Sequence, residues 1–397
     1  MAEAEKEILV ITGEASGDMH AAKVVARIKE LASEVKFSGL GGRELDYLKL
    51  ENLLPPEEVQ TGSHGFAAGF TDLFSHIKLA HRITELAAER DLAACFLVDY
   101  SGFNMYLGRR LKKQLDLPVI HYFPPTAWIW GRWRAKWLAR AGVKVAATFP
   151  KEAEVYREAG AEVRYVGHPL LDEIPAARDQ ADAREELAEL IKLAGRKELE
   201  AGERLLAILP GSREKEVETH LGPMLAAAER LSGDFMLRPV IPVARGIEIE
   251  LVEDKIKTYK IDPVLLSGYS RELLAAADLA LVVSGTAVLE AALLGTPQLL
   301  VYRADKLTAF LGKYLIGPDY IGLPNILTDQ ELVPEILQDD VDGAEIAKRA
   351  VPYLSDPKVI REQVEGYCQL RESLGEPGAI ERTARFLLEE AGILDGE

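Results

Sequence analysis

The sequence predicts an α/β protein built from two doubly wound domains that face a central cleft. Three observations predict it. Short apolar, β-branched runs alternate with helical stretches from Glu7 to Val166. The alternation pauses over Pro175–Gly202, a charged, Ala-rich stretch that reads as the join between halves. It then restarts at Leu205 and continues to Tyr302. Runs that are apolar along their whole length suit strands of parallel sheet with helices on both faces, the Rossmann-type arrangement. The expected domains are residues 1–175, residues 176–365, and C-terminal helices over residues 366–397 that pack back on the first domain.

In the first half a strand is expected over Glu7–Thr12, running into the loop Gly13-Glu14-Ala15-Ser16-Gly17-Asp18 and a helix from Met19 to Leu31. Val35–Leu40 reads as the second strand, closed by Gly41-Gly42, and Leu48–Leu54 holds a short third. Pro55–Phe70 is rich in Gly, Phe and His, and Thr71–Arg90 has helical periodicity. Ala94–Val98 is the fourth strand and ends at Asp99. Val119–Phe123, Val145–Phe149 and Val163–Val166 follow, the last before Gly167-His168-Pro169-Leu170.

In the second half the strands are expected at Leu205–Leu209, Met236–Ile241, Val264–Leu266, Leu279–Val283 and Gln298–Tyr302. Between the last two lies the stretch that organises the chain. Ser284-Gly285-Thr286 is a turn with two good N-cap residues and a glycine that lets backbone approach a ligand. A helix follows to Leu294, stopped by Gly295 and Pro297. The N–H groups at such a helix start make an anion site. Glu290 lies one turn further on, where an acid beside a phosphate site often binds a ribose hydroxyl. An ordinary turn with a solvated glutamate is the competing reading.

Topology adds to these motifs. In the common doubly wound order, strands one and four are neighbours and the crevice opens between them. Arg213, after the first strand of the second half, and the Ser284 turn, after its fourth, should therefore share one crevice. In the first half the Gly13–Asp18 loop and Asp99 should share one rim. Asp99 can act as a general base, or it can cap the next helix. Arg213 can hold a diphosphate leaving group, or it can pair with Glu214 or Glu216. His121, near the end of the strand after Asp99, is a rival base. His168, in a turn before Pro169, can cap a phosphate or pack between the halves, and the structural role is the expected one.

Composition sets limits. The 397 residues are 48% hydrophobic and 28% charged, with 47 basic and 64 acidic side chains and a net charge of −17. That argues against broad nucleic-acid binding. With two cysteines, Cys95 and Cys368, a disulfide scaffold is not expected. The seven histidines show no metal-ligand spacing, so neither metal nor cofactor is expected, and no Walker loop or serine nucleophile elbow is present. The acidic N-terminus, MAEAEKEILV, is unlike a signal peptide, and no apolar run is long enough to span a bilayer. A cytoplasmic protein is expected, with any membrane contact peripheral.

One segment reverses the charge. All four tryptophans, Trp128, Trp130, Trp133 and Trp137, lie within ten residues, interleaved with Arg132, Arg134, Lys136 and Arg140. Met105–Val145 holds nine Lys/Arg against the single acid Asp116. Tryptophan beside basic residues is the composition of a membrane-interface surface, and it also suits an amphiphilic ligand with a phosphate head. An aromatic core segment with a basic solvent face is the alternative. The Gly65–Phe74 segment would add a mobile apolar edge to the surface.

Seven motifs, taken in order and spacing, carry a resemblance: GEASGD at Gly13–Asp18, FN at Phe103-Asn104, the aromatic stretch from His121 to Trp130, GHPL at Gly167–Leu170, LPGSR at Leu209–Arg213, SGTAVLEA at Ser284–Ala291 and YIGLPNIL at Tyr320–Leu327. The chain resembles the lipid-A-disaccharide synthase family, inverting glycosyltransferases of GT-B fold, over most of its length. The resemblance implies Asp99 as catalytic base, with Arg213 as its counterpart at the leaving group. It implies UDP binding through Arg213, Ser284, Gly285, Thr286, Glu290 and Asn325, with Gly268 and Tyr269 near the base. Gly13, Ser16, Gly17, Asp18, Asn104 and His121 would lie on the acceptor side.

The implied reaction joins UDP-2,3-diacylglucosamine to 2,3-diacylglucosamine 1-phosphate, giving a β-1,6 disaccharide and UDP at an anionic membrane surface on the inner face of the cell membrane. Oligomerisation is left open. Two departures bear on the acceptor: Tyr100-Ser101-Gly102 stands where the family usually has Ala-Pro-Asp, and Gln60–Phe70 replaces its apolar membrane-touching segment. A different glycolipid acceptor, a UDP-sugar epimerase, and a silent UDP-sugar-binding membrane protein are the alternatives.

Overall fold

The computed structural model describes residues 6–54, 73–175, 179–196, 199–200, 202–304 and 320–395. Packing divides the chain into two units, Met1–Asp172 with Leu374–Glu397, and Glu173–Ser373. The expected boundary at residue 366 falls inside the helix Pro357–Ser373, which stays whole in the second unit.

The first unit holds a parallel sheet of β1 (Glu7–Thr12), β2 (Lys36–Leu40), β3 (Glu51–Asn52), β4 (Leu92–Val98), β5 (Val119–Tyr122), β6 (Lys144–Ala147) and β7 (Val163–Tyr165). Among the described residues its order is β3-β2-β1-β4-β5-β6-β7. The apolar runs form strands here because both faces are covered. Ile8 and Val10 of β1 pack on one face with Val24 and Ile28 of helix Ala15–Leu31. Leu9 and Ile11 pack on the other with Leu107 and Leu111 of helix Ser101–Leu115. The final helix, Ala379–Glu390, lies on the first face through Ala384, Leu387 and Leu388. Its start is held by Asp172, whose carboxylate accepts from the N–H groups of Ala379 and Ile380 at 3.1 and 2.9 Å. β3 is shorter than expected because only Glu51 and Asn52 find partners, Ser38 and Gly39, on the edge of the sheet.

The second unit holds β8 (Arg204–Leu209), β9 (Leu237–Val243), β10 (Val264–Ser267), β11 (Leu279–Val283), β12 (Gln298–Tyr302) and β13 (Glu335–Leu337). They are parallel, in the order β10-β9-β8-β11-β12-β13. β13 was not foreseen, since Glu335-Ile336-Leu337 is too short to stand out as a strand. It forms because Ile336 is buried in the core beside Leu299 and Val301. Within the charged joining stretch a helix runs over Gln180–Leu193, with Asp179 accepting from Ala181 N at 2.7 Å as its cap. The expected segment Pro55–Phe70 lies outside the described residues, and the helix after it runs over Leu73–Ala88.

Candidate active-site loops

In the first unit β1 and β4 are neighbours with Thr12 opposite Val98, so the loop after β1 and Asp99 leave the sheet at one level. Asp99 adjoins the start of the helix that follows β1. A β-carbon on Gly17 would meet Asp99 Cβ and Val98 O at 3.4 Å, so helix Ala15–Leu31 starts against the carboxylate's own backbone. Ser16 Oγ donates to Asp99 Oδ2 at 3.5 Å, a long bond. Asp99 does not cap the following helix; Tyr100 holds that position. Asp99 and Tyr100 both have left-handed backbone, with φ of 53° and 47°.

Three residues expected on the acceptor side turn inward instead. Asp18 is buried, and its two oxygens accept from Gly42 N at 2.7 Å and Glu44 N at 2.8 Å. It braces the loop after β2, because a carboxylate one turn into a buried helix reaches main-chain donors before solvent. Asn104 and His121 are fully buried. Asn104 Nδ2 donates to Asp99 O at 2.8 Å, and His121 Nε2 lies 3.1 Å from the same oxygen. A carbonyl only accepts, so His121 carries its proton on Nε2. Burial pushes its pKa down to about 4, with the Asp99 bond acting in the opposite direction. A buried, neutral ring committed to a main-chain carbonyl is poorly placed for the rival-base role.

In the second unit β8 and β11 are neighbours with Leu209 opposite Val282. The loops carrying Arg213 and Ser284 therefore emerge side by side. Arg213 is 64% exposed at its side chain, with Nη1 3.5 Å from Glu216 Oε1. Glu216 also accepts from Ser212 N at 2.9 Å and Arg213 N at 3.3 Å, so it shapes this loop. Neither Ser284 nor Thr286 is the N-cap of the helix Thr286–Leu293: that position is Gly285, which has no side chain to cap with. Gly285 and Thr286 are exposed, at a helix start whose first-turn N–H groups have no acceptor within the helix.

Glu290 is not a solvated glutamate. Its Oε1 accepts from Arg271 Nη2 at 2.7 Å and Nε at 3.0 Å, while Arg271 Nη1 reaches Glu173 Oε2. Arg271 was missed in the sequence, where nothing marks partners 19 and 98 residues away. Through it the start of helix Ser270–Ala276, with Gly268 and Tyr269 just before it, is tied to the helix that begins at the Ser284 turn. Gly268 and Tyr269 are both left-handed, with φ of 83° and 60°, and Tyr269 is exposed. Asn325 departs from the expected direct contact with a nucleotide. It is fully buried, with Oδ1 accepting from Val333 N and Nδ2 donating to Val333 O and Glu335 Oε1, all within 2.9 Å. Glu335 in turn accepts from Ile321 N and Gly322 N, so the pair folds the YIGLPNIL segment from within.

The tryptophan segment divides. Trp133 and Trp130 are 63% and 44% exposed, and Arg132 and Lys136 are exposed beside them. Trp137 is half-buried with the Arg109 guanidinium 5.4 Å from its ring centre. Arg134 is buried and Trp128 is half-buried. Trp128 packs on Phe149 at 5.3 Å, and buried Arg134 lies 3.8 Å over Trp130 and donates to its carbonyl at 2.6 Å. The cause is the helix period over Trp133–Ala141, which turns Arg134 and Leu138 to the core and leaves Trp133 and Lys136 outside. No helix among the described residues is long and apolar enough to cross a membrane.

Comparison with known proteins bears on these loops. Residues 8–389 match the model of the lipid-A-disaccharide synthetase family. The lipid-A-disaccharide synthase of Myxococcus xanthus (strain DK1622) is 35% identical over 389 residues, covering 96% of this chain and 97% of the relative. Lipid-A-disaccharide synthase 1 of Legionella pneumophila (strain Paris) is 31% identical over 377 residues, 94% of each. Among solved structures, UDP-GlcNAc 2-epimerase from Neisseria meningitidis bound to UDP-GlcNAc has a TM-score of 0.60 at 11% identity, covering 96% of this chain and 100% of that one. The calicheamicin glycosyltransferase CalG4 has a TM-score of 0.57 at 14% identity, covering 99% and 100%. At such identities the likeness is one of fold, and that fold is shared by glycosyltransferases and epimerases.

Proposed function

The chain belongs to the lipid-A-disaccharide synthetase family, and from that membership we propose how its two sets of loops carry out the glycosyl transfer. The enzyme is a glycosyltransferase that joins UDP-2,3-diacylglucosamine to 2,3-diacylglucosamine 1-phosphate. The acceptor's 6-hydroxyl gives its proton to the Asp99 carboxylate as its oxygen bonds to the donor's anomeric carbon. The bond from that carbon to the diphosphate breaks with its electron pair, and UDP leaves with inversion. The charge that develops on the diphosphate falls to Arg213 and the N–H groups at Ser284–Thr286. Tyr269 and Gly268 lie near the uracil, and Glu290, already oriented by Arg271, lies within a turn of the phosphate loop, in reach of the ribose.

The observation that carries this reading is the seat of Asp99: a carboxylate at the C-terminal end of β4, in left-handed backbone, against the Gly-rich loop of β1. Asn325 and Glu335 support the donor site from behind rather than by contact. Likeness to epimerases rests on fold, whereas the sequence relatives above 30% identity are synthases. Exposed Trp130 and Trp133, with Arg132 and Lys136, supply an aromatic and basic surface suited to the headgroup region of an anionic membrane, where the acylated substrates reside.

The test is mass spectrometry of products after incubation with UDP-diacylglucosamine and candidate acceptors. A disaccharide monophosphate with UDP released supports the reading. An epimerised UDP-sugar without disaccharide overturns it, as does binding without turnover.

A further inference from the structure

Asp99 and Tyr100 are consecutive non-glycine residues in left-handed backbone. L-residues avoid that region, and a pair of them persists only where the surroundings over-determine it. Three hydrogen bonds do so here. Asp99 N donates to Tyr122 O at 3.0 Å. Asp99 O accepts from Asn104 Nδ2 at 2.8 Å and from His121 Nε2 at 3.1 Å. One side chain comes from the helix that follows Asp99 and the other from the adjoining strand β5.

Both side chains bear a cost. Asn104 Oδ1 and His121 Nδ1 are buried with no hydrogen-bond partner among the described residues. An unpartnered buried acceptor destabilises a fold, and an apolar side chain of similar size would fill either position without one. What His121 adds is its one N–H donor, and what Asn104 adds is an amide NH₂ that donates to Asp99 O at 2.8 Å and to Val98 O at 3.2 Å, so both side chains donate to the Asp99 oxygen.

We infer that Asn104 and His121 are positioning residues that jointly grip the main-chain carbonyl of Asp99, hold its left-handed turn, and so aim its carboxylate along the rim beside Ser16. This rests on the reading of Asp99 as general base. It gives the FN and HY motifs one shared task. It also separates His121 from proton transfer: the ring's hydrogen bond is committed to the main-chain carbonyl of Asp99.

The test compares His121→Leu, His121→Gln and Asn104→Leu, alone and in an Asp99→Asn background. Gln keeps a donor near the Nε2 position and Leu does not. Each Leu variant is expected to lower kcat roughly a hundredfold, as misplacement of a reacting group does, while donor KM stays within about twofold. His121→Gln should recover to within about tenfold of the native rate. In the Asp99→Asn background the Leu substitutions should cause little further loss, because the group they position is already disabled. Gln as inactive as Leu, or an undiminished loss in that background, overturns the inference. Should the Leu variants not fold, His121→Gln and Asn104→Ser, which is too short to reach, carry the same comparison.

A crystal structure of the Asn104→Ser variant gives a readout independent of turnover. Asp99 leaving the left-handed region, with its carboxylate drawn away from Ser16, supports the grip; unchanged backbone and an unchanged Ser16 distance overturn it. Full activity of Asp99→Asn alone would instead defeat the base assignment, whatever that structure shows.

Discussion

The ring of Tyr100 occupies the space that Gly13 leaves open: a β-carbon on Gly13 would lie 2.3 Å from Tyr100 Cγ. The Gly-rich loop and the turn after β4 are thus fitted to each other, and Tyr100 OH is tied to His76 Nε2 at 2.6 Å. Gly13→Ala should therefore destabilise the protein by about 1–3 kcal/mol, the usual cost of overpacking. Adding Tyr100→Ala should recover most of that loss. Thermal melts of the two single variants and the double variant check it; purely additive losses would show that the two residues are not coupled.

Asp99→Asn keeps shape and hydrogen bonding but removes basicity. Turnover should fall by roughly two to four orders of magnitude, with UDP affinity nearly unchanged. Parallel measurement of kcat and of UDP binding by calorimetry decides it. Near-native turnover, with folded His121→Ala inactive, would move the base to His121 in spite of its burial.

Arg213→Ala should reduce kcat by an amount equivalent to a few kcal/mol, because a charge that strengthens in the transition state is lost. Its side chain is exposed and linked to Glu216 at 3.5 Å, so folding should be little affected. The informative comparison is kcat at saturating donor with the melting temperature. A fall in melting temperature without a fall in kcat would restrict Arg213 to the ion pair.

Trp130→Ser with Trp133→Ser should release the protein from anionic vesicles in flotation, and added salt should weaken what binding remains. Trp137→Ser should act mainly on stability, since that ring is half-buried beside Arg109. Flotation of the double variant equal to the native protein would exclude this surface as the anchor.

Glu152 gives a pH-dependent prediction. Burial pushes its carboxyl up to about 8 from an ordinary value near 4.5, against the opposing pull of the Thr148 N–H and hydroxyl. Between these values the folded state holds a proton that the unfolded chain has released. Its contribution to stability is thus complete below about pH 4.5 and is lost as pH rises through about 8. Glu152→Gln should flatten this loss and melt higher than the native protein above pH 8. His121 acts with the opposite sign: held neutral to about 4, it takes stability away as pH falls from 6.5 toward 4. Identical pH–melting curves for Glu152→Gln and native protein would show that Glu152 is ionised in the fold at neutral pH.

The sequence by itself determined the two parallel sheets and the pairing of loops at their edges. Continuous apolar runs mark strands covered on both faces, and right-handed crossovers leave few orders in which to lay them. Ser16 beside Asp99, and the Arg213 loop beside Ser284, follow from β1 next to β4 and β8 next to β11. Those are statements about backbone, which local pattern and chain topology control.

Tertiary structure alone decided where the side chains point and what they meet. Asp18, Asn104, His121 and Asn325 belong to the motifs that signalled a ligand site, yet each is buried and bonded to main chain. Arg134 and Trp128 share a basic aromatic run with Trp133, but the turn of one short helix and the ring of Phe149 send them inward. Arg271 joins Glu290 to Glu173 across 98 residues of sequence. A motif shows that a segment reaches the site; which of its side chains face solvent depends on the register of each helix and on donors supplied by distant chain, and neither is written in local sequence.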